Sequence, residues 1–155
     1  MSMTVNEPSI ADPDAFTVTR SVDIAAPVAK VWSAVTEPEH LARWFGQTIE
    51  LDELAVGARG VFGFEGYGDS AVVIEELDPP RAIAYRWGND KAGGVDLEHS
   101  TVFRFTLEPT ASGTRLTVVE SGFENLSDPA ASLEGNRQGW NSELDELVAY
   151  LEGAV

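Results

Sequence analysis

Apolar residues alternate with polar ones along the first part of the chain and again through its middle. Phe16, Val18, Val22 and Ile24 share one face of this pattern, which is typical of a strand with one buried side. Between residues 47 and 121 the alternation returns in runs separated by short turns. Because parallel pairing would need crossover helices between the runs, this spacing predicts an antiparallel meander of roughly six strands.

Two other stretches follow the period of a helix. Pro27 suits a first helical turn, and the apolar residues after it recur at the spacing of one helical face. The segment Thr36-Glu37-Pro38-Glu39 matches a capping box, which predicts that Thr36 caps a second short helix ending at Gly46. Near the end of the chain, an apolar stripe predicts one long amphipathic helix that runs to Gly153.

The order of these elements predicts an α+β domain. One strand, two short helices, about six further strands and one long helix keep the helices apart from an antiparallel sheet. We expect residues 16–153 to form a single domain, and residues 1–15, which offer little to bury, to form a flexible N-terminal tail. A helix about 10 Å wide cannot fill the concavity of a wide curved sheet, so we also expect a hollow between the two.

Composition and charge narrow the classes of function. The chain has 155 residues, of which 43% are hydrophobic, enough for one core without metal or disulfide support. Its net charge of −16 repels phosphate backbones and anionic lipid headgroups, so neither a nucleic acid nor a membrane is expected as a partner. The chain has no cysteine, which excludes thiolate chemistry, and its lack of a signal-peptide pattern makes a cytoplasmic location the default expectation.

Aromatic residues at alternate strand positions are the main candidates for a ligand site. Two residues on the apolar stripe of the terminal helix are expected to face them. If all of them share an interior, they line a pocket suited to a flat or hydrophobic molecule; the alternative is a solid core that the rings fill. The candidate lining residues are Phe62, Phe64, Tyr85, Trp87, Phe103, Phe105, Trp140 and Leu144.

Short motifs along about residues 16–152 occur in an order that points to one superfamily. They are Arg20–Pro27, Val31-Trp32, Thr36–Glu39, Trp44-Phe45, Glu75–Arg81, Tyr85, Trp87, Gly113–Thr117, Glu120–Phe123 and Gly139-Trp140, followed by a Leu-rich terminal helix. This set resembles the START-related helix-grip superfamily, often labelled SRPBCC. Within it, the chain is similar to the branch of the C-terminal domain of the activators of the heat-shock ATPase.

The resemblance implies both a fold and a range of functions. The implied fold is the helix grip: a curved antiparallel sheet of about seven strands wrapped around a long C-terminal helix, with two short helices after the first strand. Proteins of this superfamily share an apolar cavity for lipids, polyketides, aromatics or other hydrophobic molecules, and only some branches catalyse reactions. We therefore expect binding of a small hydrophobic or amphipathic molecule between the sheet and the terminal helix.

Two alternatives from other functional classes stay open. One is an enzyme of the cyclase, dehydratase or hydrolase type, in which Glu120 or His99 would act as a pocket acid or base. The other is a chaperone-interaction module similar to the ATPase activators. It is less favoured, because the eukaryotic activators use a further N-terminal domain to contact the chaperone and residues 1–15 are too short for one. The sequence does not indicate an oligomeric state.

Two charged residues are candidates for the polar part of a cavity. Arg20 interrupts the apolar face of the first strand, and Glu120 continues the apolar face of the last. In a helix-grip sheet these strands would be neighbours, so the two side chains could pair. Such a pair would either orient a carboxylate or hydroxyl of a ligand or serve as a structural ion pair.

No other pattern indicates chemistry. His40 and His99 have no His or Cys companion at ligand spacing, so we expect no metal site. The glycines between residues 60 and 68 lie between strands rather than before a helix, which disfavours phosphate binding. Without a nucleophile elbow or a Ser/His/Asp set, the sequence predicts no catalytic residue and no cofactor.

Overall fold

A single curved antiparallel sheet of eight strands is found in residues 6–64, 66, 68–88 and 98–153, the part of the chain that the computed structural model describes. The strands lie side by side in the order β1-β2-β8-β7-β6-β5-β4-β3. Their bounds are Ile10–Asp12 (β1), Thr17–Ile24 (β2), Thr48–Leu51 (β3), Arg59–Phe64 (β4), Gly68–Asp78 (β5), Ala82–Trp87 (β6), Thr101–Pro109 (β7) and Thr114–Ser121 (β8).

Three α-helices accompany the sheet within the described residues. Val28–Thr36 (α1) and Pro38–Trp44 (α2) follow β2, and Pro129–Leu151 (α3) follows β8 after a short 3-10 turn. The first turn of α3 is capped by Asp128, whose side chain accepts from the amide of Ala131 at 3.2 Å. This arrangement confirms the α+β helix-grip prediction, with eight strands rather than about seven and with the two short helices after the second strand.

The additional strand, β1, lies in the segment that the sequence indicated as a flexible tail. Ile10–Asp12 pair with Thr17–Thr19 of β2, and Ser9 is buried beside α3. The amide and the hydroxyl of Ser9 both donate to Oδ1 of Asn141, at 2.7 and 2.9 Å. Three residues are too few to show an alternating pattern, and this strand is held by backbone pairing and a polar anchor, neither of which hydrophobic periodicity detects.

The predicted capping box at the start of α2 is wrong. Thr36 is the last residue of α1, and its hydroxyl donates to the carbonyl of Trp32 at 2.7 Å. Glu37 takes the cap position with an extended backbone and makes no side-chain capping bond. Pro38 explains the shift, because a residue that precedes proline is driven out of the helical region and the break therefore falls at Glu37.

The core lies between the sheet and α3. Inward-facing residues of the strands alternate with exposed ones, as at Phe103 and Phe105 of β7, both of which are fully buried. From the other side, α3 contributes four buried residues: Leu133, Trp140, Leu144 and Leu147. The middle of α3 therefore crosses the inner face of the sheet. The end of the sheet at which β4 and β6 finish lies next to this part of the helix.

Candidate ligand-binding cleft

A cleft of about 530 Å³ opens between that end of the sheet and the middle of α3. Phe64 and Trp87 are the last residues of β4 and β6 and form the sheet side of the cleft, and Phe45 follows α2. Residues of α3 form the opposite wall: Gly135, Asn136, Gln138, Gly139, Trp140, Ser142 and Glu143. The volume falls in the range of about 300–1,000 Å³ that small-molecule sites occupy.

At the base of the cleft, the ring of Phe45 lies nearly parallel to the rings of two tryptophans. The ring centroid of Phe45 lies 5.8 Å from that of Trp87 and 5.7 Å from that of Trp140, with interplanar angles of 18° and 16°. Phe64 meets Phe45 edge-on, with centroids 5.3 Å apart. Offset and edge-on contacts of this kind stabilise aromatic pairs beyond the area that they bury, so the rings form a fixed apolar surface.

The carboxyl group of Glu120 holds two of these rings in place. Glu120 is fully buried, and each of its oxygens accepts from one indole: Oε2 from Nε1 of Trp87 at 2.9 Å and Oε1 from Nε1 of Trp140 at 2.8 Å. The hydroxyl of Thr101 donates to Oε2, and Nδ2 of Asn136 donates to Oε1 at 2.9 Å. Four neutral donors from β6, β7 and α3 therefore meet on one acceptor group at the end of β8.

These hydrogen bonds determine which atoms of Trp87 and Trp140 face the cleft. Because the only polar atom of each indole points to Glu120, the parts of Trp87 and Trp140 that line the cleft are carbon. The interaction also fixes the angle of both rings, since four hydrogen bonds to an acceptor without solvent contact are costly to break. Glu120 is thus a positioning residue beneath the cleft rather than a group that lines it.

Two glycines of α3 provide the space of the cleft. Gly135 and Gly139 are one helical turn apart and both line it, and a Cβ atom built on either would meet no atom within 4 Å. A glycine inside a helix costs about 1 kcal/mol relative to alanine. Sequence analysis used Gly139 only as part of a family motif and did not consider the pair, although two glycines at a spacing of four inside an amphipathic helix are a signal of open space or close packing on that face.

Glu143 is the ionisable group of the cleft, and sequence analysis did not identify it as a candidate. The side chain is half-buried, and its Oε2 is shielded from solvent without a hydrogen-bond partner among the described residues. Burial, together with the negative charge of Glu146 one turn further on, raises the pKa of Glu143 to about 8. The carboxyl group is therefore largely protonated at neutral pH while the cleft is empty.

The eight aromatic and aliphatic candidates from the sequence fall into two groups. Phe64, Trp87 and Trp140 line the cleft. The other five are fully buried in the packed interior and do not border it. Ring contacts join the aromatic members of this group, for example Tyr85 and Phe103 with centroids 5.3 Å apart, and the hydroxyl of Tyr85 donates to the carbonyl of Val35 at 2.8 Å. The five interior residues are Phe62, Tyr85, Phe103, Phe105 and Leu144.

The two charged candidates, Arg20 and Glu120, do not pair. Their strands are neighbours, as expected, but Arg20 lies opposite Val118 rather than opposite Glu120. The Arg20 guanidinium instead binds Oδ1 of Asp145 at 2.7 Å and the carbonyl of Asn141 at 2.8 Å. Arg20 therefore connects β2 to α3, and Glu120 obtains all of its hydrogen bonds from uncharged donors.

The histidines lie away from this arrangement. His99 lines a separate hollow of about 350 Å³, which shares Phe64 and Trp87 with the cleft. Nδ1 of His40 lies 2.7 Å from the hydroxyl of Tyr150. Possible metal-ligating atoms of His40, Glu37 and Glu39 come within 4.8 Å of one another, a grouping that a search for His and Cys companions does not detect, and none of the three lines the cleft.

The fold and the site together define a helix-grip domain with an aromatic cleft beside its long helix. A family model for Activator of Hsp90 ATPase homolog 1-like proteins matches residues 25–152. The chain belongs to this family, as the motifs indicated. No curated protein sequence matches it, and no helix among the described residues is long and apolar enough to cross a membrane.

Solved structures with the same fold include proteins from several bacteria. MLL2253 from Mesorhizobium loti is 27% identical, with a TM-score of 0.75 over 90% of this chain and 98% of that chain. DynU16, a protein in the dynemicin biosynthetic locus, is 28% identical with a TM-score of 0.72, covering 90% of this chain and 48% of that chain. The Aha1 dimer from Colwellia psychrerythraea is 22% identical with a TM-score of 0.69, covering 88% and 96%.

Proposed function

We propose that the protein binds a small hydrophobic or amphipathic molecule in the cleft between the sheet and α3. The observation that carries the proposal is the apolar surface of Phe45, Trp87 and Trp140, which borders a space of about 530 Å³. Ligand sites in proteins typically combine such aromatic surface with a few polar groups that fix the orientation of the ligand. Here Asn136, Gln138, Ser142 and Glu143 are the polar residues of the wall.

Preorganisation supports the same proposal. A ligand that enters the cleft does not need to order the tryptophan rings, because Glu120 already holds Trp87 and Trp140. Fixed side chains lower the entropy cost of association, so a modest contact area can yield useful affinity. A relative with 28% identity, DynU16, is described as a protein in a biosynthetic locus, which agrees with a small-molecule ligand.

The test is a substitution at Gly139 whose new side chain fills the cleft. In Gly139→Leu the new side chain leans back toward Gly135 and Asn136 and occupies the space, whereas Gly139→Ala changes helix propensity with little filling. Fatty acids, polyketides and flat aromatic compounds are screened against both variants and the unmodified protein, by melting temperature and by native mass spectrometry.

A true ligand at a hundred times its dissociation constant stabilises the folded state by about 2.7 kcal/mol. At roughly 2–4 °C per kcal/mol, this corresponds to a rise of about 5–10 °C in the melting temperature. We expect that rise in the unmodified protein and in Gly139→Ala, and its loss in Gly139→Leu. Equal binding by Gly139→Leu, or no ligand in the whole panel, would contradict the proposal.

An ATPase assay distinguishes ligand binding in the cleft from the alternative of a chaperone-interaction module. The family name refers to activation of the Hsp90 ATPase. If the protein acts through its cleft on a small molecule, adding it to the chaperone leaves the ATPase rate unchanged. Stimulation that persists in Gly139→Leu would instead favour a protein-interaction module that does not use the cleft.

A further inference from the structure

Glu143 is the one ionisable side chain among the described residues that line the cleft. Its Oε2 is shielded from solvent and has no hydrogen-bond partner within the described part of the chain. Buried carboxyl oxygens without partners are rare in folded proteins, and each one calls for an explanation such as a functional role or a bound water or ion. Glu143 lines the cleft, so a rotation of its terminal carboxyl group would bring Oε2 to a molecule bound there.

The electrostatic surroundings favour one kind of partner for this oxygen. Among the described residues that line the cleft there is no Lys or Arg. Acidic groups of the surroundings include Glu146 on α3, Glu120 beneath the rings and Asp69 in the adjoining hollow, which His99 also lines. The cations on these elements are already paired, Arg137 with Glu134 and Arg86 with Glu75. In a chain of net charge −16, this environment disfavours an anion and favours a positively charged group.

The aromatic base of the cleft is suited to the same charge. Phe45, Trp87 and Trp140 present ring carbon, and the negative faces of aromatic rings attract cations as well as apolar groups. An ammonium group on a hydrophobic molecule would therefore find an acceptor in Glu143 and compatible rings around it. A carboxylate or phosphate would instead meet a like charge once Glu143 is ionised.

We infer that the cleft selects hydrophobic amines, with the protonated amine of the ligand donating to Oε2 of Glu143 and its apolar part lying against Trp87 and Trp140. This inference rests on the proposed function, because it names the chemistry of the molecule that the cleft binds. Binding couples to proton release: the Glu143 carboxyl loses its proton when the ammonium group arrives, and the new ion pair replaces an oxygen that had no partner.

The experiment compares three probes of the same shape. 1-Naphthylmethylamine, 1-naphthylmethanol and 1-naphthoic acid carry a cation, a neutral hydroxyl and an anion on one ring system. Their affinities are measured by calorimetry at pH 8 for the unmodified protein, for Glu143→Gln and for Glu146→Gln. The last variant is the matched control, since it removes a neighbouring charge on the same helix from an exposed side chain.

We expect the amine to bind about tenfold more tightly than the alcohol, because hydrogen bonds between ionised groups are roughly twice as strong as neutral ones. The acid binds most weakly. The preference for the amine disappears in Glu143→Gln and is kept in Glu146→Gln. Affinity for the amine rises by up to roughly tenfold per pH unit between pH 6 and 8 and then levels off, whereas affinity for the alcohol does not follow this course.

The experiment distinguishes failure of the amine preference from failure of the proposed function. Equal affinities of the three probes for the unmodified protein overturn the amine preference and leave the proposed function standing. An amine preference that survives in Glu143→Gln also overturns the inference, because it then arises from the general acidity of the chain. If none of the probes binds or raises the melting temperature, a flat aromatic ligand is excluded, and the proposed function fails for this class together with the inference.

Discussion

The packed interior and the cleft each contain a glutamate, Glu120 and Glu143, and the surroundings of the two carboxyl groups differ. On the inner side of Trp140, Glu120 accepts hydrogen bonds from four donors on three other elements and has no contact with solvent. On the side of the cleft, Glu143 has a shielded oxygen without a partner among the described residues and a pKa raised to about 8. The two carboxyl groups share a neighbour but not an environment.

The contrast between Glu120 and Glu143 shows how a buried polar group can be assigned to structure or to function. A fully satisfied acceptor such as Glu120 rigidifies what surrounds it, since removing it leaves several donors unpaired. An unsatisfied group such as Glu143 costs stability in the free protein, and such a cost is understandable where a ligand supplies the missing partner. Both kinds of group are glutamates in the sequence, and only their neighbours distinguish them.

The largest expected effect is the loss of the inner network. Glu120→Ala leaves the indole N–H of Trp140, the hydroxyl of Thr101 and the amide of Asn136 without this acceptor, and each unpaired buried group costs about 1–3 kcal/mol. The indole N–H of Trp87 loses one of its two acceptors and keeps Oγ1 of Thr101 at 2.9 Å. We expect the free energy of unfolding to fall by roughly 4–6 kcal/mol, measured by urea denaturation. Glu108→Ala, an exposed change on β7, serves as the control and should alter it by less than about 0.5 kcal/mol.

Glu120→Gln refines this prediction without removing the side chain. The amide oxygen can still accept on one side, but the NH₂ group faces donors on the other side. We expect a loss intermediate between those of Glu108→Ala and Glu120→Ala. If Glu120→Gln is as stable as the unmodified protein, the four hydrogen bonds do not hold the rings as described.

The second prediction compares the packed interior with the cleft wall. Phe103 touches the rings of Tyr85, Trp87, Phe105 and Trp140 and is fully buried, so Phe103→Ala should cost about 3–5 kcal/mol. Phe64→Ala removes a half-buried ring that borders open space, and we expect a loss near 1 kcal/mol. Thermal unfolding checks both, and similar losses would mean that the two regions are packed alike.

The third prediction is that the free energy of unfolding rises when the unpaired carboxyl group of Glu143 is replaced by an amide. Because the pKa of Glu143 is raised in the folded state, that state holds a proton which the unfolded chain releases above about pH 4.5. The contribution of Glu143 to stability therefore falls as the pH rises from about 4.5 to 8. Glu143→Gln removes this loss, so its advantage should grow over this interval to about 1–2 kcal/mol, allowing for partial solvent contact.

The measurement is the difference in melting temperature between Glu143→Gln and the unmodified protein at a series of pH values. We expect it to be near zero at pH 5 and about 2–8 °C at pH 9. Glu146→Gln, which removes the neighbouring charge, should give a smaller gain. A difference that does not change with pH would show that the carboxyl of Glu143 keeps an ordinary pKa.

Much of the fold was predictable because it depends on periodicity. Alternation on β2, β7 and β8 and the apolar stripe of α3 reflect burial directly, so the element order and the α+β class followed from them. The capping prediction at Thr36 was wrong, because the constraint that Pro38 places on Glu37 outweighs a matching motif. The strand at Ile10–Asp12 was missed because it is too short to show a pattern.

Less of the candidate site than of the fold could be predicted from the sequence. The inward direction of Glu120 could be predicted from its strand, but its partners could not, since they depend on how β6, β7 and α3 meet in space. Arg20 was a plausible partner because its strand is a neighbour, yet its long side chain reaches α3 instead. Glu143 lies outside the apolar stripe of the helix and was not a candidate, because helical periodicity does not show where the sheet ends.

The glycine pair of α3 has a consequence for how such a recess can change over evolutionary time. At Gly135 and Gly139 the boundary of the site is helix backbone, so each single substitution there reduces the available volume by the size of one side chain. Small residues would also make the helix itself more stable, so narrowing the site carries no folding penalty. Substitutions at these two positions therefore change the volume of the recess in steps, while the tryptophans and their anchor remain as they are.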